Sequence, residues 1–579
     1  MRNRIAPLSW PADALRRTLL ALAVLCVAPA GATDLLLQHG HIWTGNPRMP
    51  WAEAVAISSG RIEAIGSDRV LGRRAGGARE TVDLHGRTVI PGIVDSHLHL
   101  LFGAYALHGL NLSTPETSIT ADKADELIAR LRAYAADHAA DAVIFARADF
   151  SATPPSTPNR ELLDRAVPDR PVVVHNTTEH SLWVNSAALR LAGITDYPVA
   201  SAQEERGIIR DASGHPSGVL LEAAMELVER AVVAHVPESE RLAMVEAATH
   251  YLNRFGITAV VNATGDLNEM NLYATLRDRG SLTVRTRTAY GAVSVAHRLS
   301  LQFLTDIETA RAKYHDDWVS ANLVKFFADG FSGLVPPLVY EPHAYAELVA
   351  ELDRRGFQIM THAARNDSVH MILDTYQQLP DLNGTRDRRL RLEHADLTDA
   401  ADLPRFAKLG VTVVMQPSFC CAQIGLNYDT AHMLPTDRWH SFLAQGTALA
   451  FASDWPCTFP PDPFLGIQQA VTREVWHSAD TAGIAGNPFD GAGQGGAIRT
   501  GGSYVPEERI SVGDALSAYT LGSARAAFFD DRVGTLEVGK LADLAVLSQD
   551  IFVVPSQSIA ATRVLMTMVG GRVVYRQDP

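Results

Sequence analysis

Six side chains of ligand-forming types recur at intervals that a folded chain could bring together: His97, His99, Lys325, His362, His394 and Asp454. His97 and His99 stand two apart in Asp95-Ser96-His97-Leu98-His99. On an extended backbone such residues project from one face, so both imidazoles can hold one cation. Imidazole nitrogen and carboxylate oxygen suit zinc and its neighbours. A lone H-x-H is more often a pair of hydrogen-bonded core histidines, but several unpaired histidines lining one mouth would be costly, which turns the weighting. Asp454, just before Trp455-Pro456, has a competing role as a helix cap. Lys325 says most. A protonated amine repels a metal, so lysine joins such a set only as a carbamate formed with carbon dioxide, an anion able to bridge two cations. Its alternative is an ion pair with Asp329 or another acid, since buried lysines find carboxylate partners.

The elements that must position these residues are legible as strand-like runs alternating with helical patterns, the texture of a parallel βα architecture. Eight runs are counted: Val89-Val94, Ala259-Asn262, Val284-Tyr290, Leu323-Phe327, Gln358-Thr361, Leu390-Glu393, Val411-Met415 and Leu449-Ser453. Eight closes a barrel. In such barrels chemistry sits at the C-terminal ends of strands, where runs 1, 4, 5, 6 and 8 offer the six residues. The stretches Leu242-Phe255, Ser368-Gln378 and Ala401-Leu409 carry apolar residues at helical spacing. A ninth run, Pro171-His175, falls in the long interval between the first two barrel strands and marks an inserted subdomain over about 103–245. Short β-type runs punctuated by glycine fill 33–88 and return in 526–579, so the termini together predict a composite β-sandwich. The expected fold is therefore α/β: a distorted (β/α)₈ TIM barrel over 89–525, the terminal sandwich and an inserted lid.

These segments resemble the amidohydrolase superfamily. The resemblance is carried by Val89-Ile90-Pro91-Gly92-Ile93-Val94-Asp95-Ser96-His97-Leu98-His99, by the strand-end set and by Gly534-Thr535-Leu536-Glu537-Val538-Gly539-Lys540-Leu541-Ala542-Asp543-Leu544. The finer likeness is to its family 3, with N-substituted formamide deformylase-like enzymes. It rests on His180-Ser181-Leu182-Trp183-Val184-Asn185-Ser186-Ala187-Ala188-Leu189, Lys325-Phe326-Phe327-Ala328-Asp329-Gly330 and Ser453-Asp454-Trp455-Pro456. The resemblance implies a metal-dependent hydrolase: His97 and His99 on one metal, His362 and His394 on a second, Lys325 bridging as a carbamate, and Asp454 as ligand and proton shuttle. Relatives place a Gly-Asp pair three and four residues after the strand-5 histidine. Here those positions hold Arg365 and Asn366, so the orientation of His362 needs another source.

A bound divalent metal, two zinc ions being the preferred reading and a mononuclear site the runner-up, lowers the pKa of water from about 15.7 towards about 7. Asp454 would then act as general acid/base in cleaving an amide-type, non-peptide carbon-nitrogen bond. His180 and Trp183 are candidates for the substrate pocket, each with packing within the lid as its alternative. Phe419, Trp455 and Phe459 follow strands 7 and 8 and suggest an apolar acyl or amine group. A deaminase of the same superfamily would carry Glu where Arg365 stands. A non-catalytic barrel binding protein would have replaced ligand positions. A two-lobed solute binder has no use for histidines on successive strands.

The chain has 579 residues, 47% of them apolar, enough for a large core, and a formal charge of -14 that disfavours nucleic acid as a partner. Its partner is expected to be a small-molecule amide, with a homo-oligomer left open. Arg2, Arg4, Arg16 and Arg17 precede the apolar run Leu19 to Ala28, and Ala30-Gly31-Ala32 supplies a small-x-small cleavage pattern. Residues 1–32 thus read as a signal peptide, which predicts an exported protein, periplasmic or secreted, with no stable membrane insertion after cleavage. An oxidising compartment would allow Cys420 or Cys421 to pair with Cys457.

Overall fold

The computed structural model describes residues 33–577 except 113–123, 151–157, 177–179, 200–201, 293–298, 330–337, 420–435, 475–502 and 504. The expected signal peptide, Cys420 and Cys421 lie outside the described residues; Cys457 is buried. No helix among the described residues is long and apolar enough to cross a membrane.

Eight parallel strands form one sheet in sequential order: Ile93–Leu98, Ile257–Gly265, Arg285–Gly291, Val319–Phe327, Gln358–Ala363, Arg391–His394, Thr412–Met415 and Ala448–Phe451. The ladder runs unbroken from first to eighth, and the remaining seam is bridged by single bonds. Ser96 Oγ donates to the Phe451 carbonyl at 2.9 Å, and the Asp454 amide to the His97 carbonyl at 2.8 Å. This is a nearly closed barrel, as the βα alternation predicts. Period-2 alternation sorts the strands: Leu323 and Met360 face the barrel interior, while Val324, Phe326 and Ile359 pack outward beneath the helices. From below, Ala524, Ala527, Phe529, Val533 and Leu541 meet Val94, Ala259 and Val261 and seal the floor.

The first predicted strand, Val89-Val94, is two strands in two domains. Thr88–Pro91 pairs antiparallel with Leu544–Leu547 in a six-stranded sheet, whereas Ile93–Leu98 opens the barrel. The change occurs between adjacent amides: Gly92 donates to Asp543 and Ile93 to Gly256. That sheet stacks on a four-stranded one, and Leu35, Leu37, Val55, Val89, Leu544 and Met568 fill the space between. Within the expected C-terminal part of the sandwich, Ala527, Phe529 and Val533 pack into the barrel floor, whereas Leu536 and Ala542 join the sandwich core and the Leu536 amide donates to the Thr44 carbonyl.

The insert holds a six-stranded mixed sheet whose central strands are Ile144–Ala148, Val172–Asn176, Ser181–Val184 and Pro216–Leu221. Asn185 caps helix Ser186–Leu191 by accepting from the Ala188 amide at 2.9 Å. The same side chain accepts from Val172 and donates to Val167 and Arg170, tying three segments together.

Candidate active site

The six residues singled out by spacing converge on the barrel mouth. His97 Nδ1 lies 2.6 Å from Glu393 Oε2, and Arg391 grips the same carboxylate through two bonds of 2.9 Å while donating to the Ser96 carbonyl. With Nδ1 engaged, His97 presents Nε2 at 3.3 Å from Lys325 Nζ and 3.4 Å from Asp454 Oδ1. His99 Nε2 is also 3.4 Å from Asp454 Oδ1. Gln416 Oε1 takes His394 Nδ1 at 2.9 Å, leaving Nε2 for the mouth. The His362 ring stands 4.4 Å from that of His394.

His362 Nε2 is 3.1 Å from Asp329 Oδ1, off the line of a hydrogen bond. The Ala364 and Arg365 amides fix that carboxylate at 3.1 and 3.0 Å. Asp329, contributed from beyond the fourth strand, therefore stands against His362 where the missing Gly-Asp pair was expected to act. It does not serve as the ion-pair partner of Lys325, which sits fully buried over the Phe327 ring.

Two of the residues reach the mouth only through unusual backbone. Period 2 turns Arg391 and Glu393 inward and would turn His394 outward, but His394 adopts φ +71 and swings back. Asp454 has φ +56. Left-handed conformations at non-glycine residues cost about 1–3 kcal/mol each and persist where surrounding bonds enforce them.

Burial and neighbouring Lys325 push the His97 pKa well below its ordinary value, and burial with His362 lowers that of His394 to about 3. Both imidazoles are thus neutral at neutral pH, the form that binds metal. Burial works against charge on Asp454, yet His97 and His99 hold its carboxyl well below the usual range. Burial brings Lys325 down to about 8 against the pull of Glu393 and Asp454, so its neutral amine is accessible. His99 Nδ1 and Asp454 Oδ1 are buried without a hydrogen-bond partner among the described residues. One ligand atom each from His97, His394 and Asp454 lies within 4.8 Å of the other two. The Asp454 oxygen, without a hydrogen-bond partner and close to ligand atoms of His97 and His394, is what a divalent cation satisfies, so the donor set fits a metal.

The sequence profile of the amidohydrolase family matches residues 80–575. The chain belongs to this family. It is 27% identical over 573 residues to N-substituted formamide deformylase of Arthrobacter pascens, covering 94% of this chain and 98% of that one. Protein LONG AFTER FAR-RED 3 of Arabidopsis thaliana is 29% identical over 590 residues, with 94% and 92% covered. An uncharacterized metal-dependent hydrolase from Pyrococcus horikoshii shares the fold, with TM-score 0.69 at 21% identity over 90% of this chain and 99% of that one. This amidohydrolase is accordingly a metal-dependent hydrolase.

Beside the amidohydrolase centre, His180 faces the mouth, its ring 6.0 Å from that of His362. Its Nδ1 lies 3.1 Å from Glu222, a residue held at φ +47. Burial opposes charging His180, but Glu222 raises its pKa overall. Trp183 goes elsewhere. One strand position separates it from Leu182, which packs towards the main core, so its indole turns into the insert's own core and donates to the Asn159 carbonyl at 2.9 Å. Trp455 is also a packing residue rather than a pocket wall. It lies flat on Gly103, where an added Cβ would come within 2.1 Å of the ring. Phe459 is partly buried beneath Arg147, 4.8 Å from its guanidinium carbon. Sequence reasoning missed Glu393 and the Asp329–His362 contact. The available signal for the first was Arg391 and Glu393 at period 2 in an otherwise apolar strand.

Proposed function

We propose that this amidohydrolase cleaves the carbon-nitrogen bond of a small, non-peptide amide at the barrel mouth, with Asp454 as general acid/base. The observation that carries the reading is the Asp454 carboxylate, buried and ionised within 3.4 Å of both His97 and His99. His97, His99, His362, His394 and Asp454 would hold two divalent cations, zinc by donor type, with Lys325 between them as a carbamate. When bound, such metals supply Lewis acidity towards water and a carbonyl oxygen. Asp454 takes the proton from water as its oxygen attacks the carbonyl carbon. It returns the proton to the departing nitrogen as the carbon-nitrogen bond breaks, leaving acid, amine and the regenerated carboxylate. His180, held by Glu222, would orient the substrate from the insert's side. The Arthrobacter relative's name, a formamide deformylase, supports amide-type chemistry.

A single-metal centre is the second reading, favoured by the close grouping of His97, His394 and Asp454 alone. The test is metal content together with hydrolysis of a panel of N-substituted formamides and simple anilides. Two equivalents at the mouth and amine release support the proposal. Metal-loaded protein inactive on the whole panel overturns the substrate class, and one equivalent at the mouth overturns the bridged pair.

A further inference from the structure

A second group of ligand-type residues lies away from the catalytic centre. His108 ends helix Leu100–His108, nine residues beyond His99, so about 13 Å of helix separates it from the barrel mouth. Asp141 comes from the insert, in the connection between helix Ala124–Asp137 and strand Ile144–Ala148. Glu240 sits in the first turn of helix Glu238–Asn253, which leads back into the second barrel strand.

These three segments meet side chain to side chain. His108 Nε2 is 3.0 Å from Asp141 Oδ2, and one ligand atom from each of His108, Asp141 and Glu240 lies within 4.8 Å of the other two. The Glu240 carboxylate accepts from the Ala142 amide, yet its Oε1 is wholly shielded from solvent and has no hydrogen-bond partner among the described residues. Two carboxylates held this close repel, and a shielded oxygen without a donor is costly to keep. Burial and facing Asp141 raise the Glu240 pKa accordingly. The neighbouring cation does not relieve this, because Arg170 spends Nη1 on the main-chain carbonyls of His138 and Asp141 and Nη2 on that of Ala135. Around the group, Tyr134 donates to the His108 carbonyl and His138 Nδ1 bonds the Tyr134 carbonyl, so the helix end and the insert are already in fixed register.

We propose that His108, Asp141 and Glu240 form a further divalent-cation site, separate from the catalytic centre, that pins the inserted domain to the barrel. One imidazole and two carboxylates balance a dication and match zinc-type N/O coordination, with water completing the set. The role is structural, since each ligand comes from a different segment at the insert's base.

The experiment is zinc content of the full chain after equilibrium dialysis, comparing the parent with Glu240→Gln and Asp141→Asn. Each variant is expected to bind one equivalent fewer, to keep the metal at the barrel mouth, and to melt several degrees lower only when zinc is present. Glu240→His restores a donor and is expected to recover the equivalent, which covers the case of a variant that folds poorly. Equal zinc in the parent and both variants overturns the site, as does failure of Glu240→His to bind more zinc than Glu240→Gln. Asp454→Asn, run alongside, perturbs the barrel mouth alone, so loss there is distinguishable from loss at His108.

Discussion

The barrel mouth and the insert bury polar side chains in opposite ways. At the mouth His97 is steadied on one side by Glu393 and His394 by Gln416, while Asp454 Oδ1 has no hydrogen-bond partner among the described residues. In the insert's core, Asn185 and Trp183 make the bonds their geometry allows, to Val172, Val167 and Asn159 among others. Polar side chains left open at the mouth are thus free to serve chemistry, whereas those closed in the insert's core serve architecture.

That contrast can be broken most directly at Asp454. Asp454→Asn is expected to lower kcat by about 10²–10⁴ with the circular dichroism spectrum unchanged. Retained turnover would remove the mouth's claim to be different. Glu393→Gln probes the steadying side and is expected to weaken metal binding about 10–100-fold, read by competition with a chelator. Asn185→Ala should show the reverse pattern, losing about 2 kcal/mol of stability in denaturant melts while kcat of the folded fraction is preserved.

The smallest effect is a pH dependence of the metal-free protein. His394 titrates near 3 when folded and near 6.5 when unfolded, so the unfolded chain binds more protons between those values. Stability is complete above the unfolded value and falls as pH drops through that window. From pH 7.5 to 6 the loss is about 0.8 kcal/mol for such a histidine. A flat melting profile over that range would show the imidazole to be better solvated than its burial implies.

Much of this was legible in the sequence because barrel geometry makes strand ends converge, so run boundaries alone indicated the His97, Lys325, His362, His394 and Asp454 cluster. The inward turn of His394 beside Glu393 was not, since period 2 sets the two on opposite faces until φ +71 brings them to one side. Trp183 and His180 share a motif but not a direction; the core that fills beneath Trp183, with Val219 in it, shows which way the indole turns. The run Val89-Val94 looked continuous because strand propensity carries no record of a change of hydrogen-bond partner at Gly92.

The plug built on Ala524, Ala527, Phe529 and Val533 has a bearing on biogenesis. A chain emerging from the ribosome finishes all eight staves before it makes the bung that stops their lower end, and the stave at 93–98 meets its neighbour only after the intervening insert has been synthesised. Such remote pairings slow assembly and expose apolar surface while the tail is awaited. A truncation that reaches back to Ala524 would therefore strike the interior of the vessel, not merely its rim.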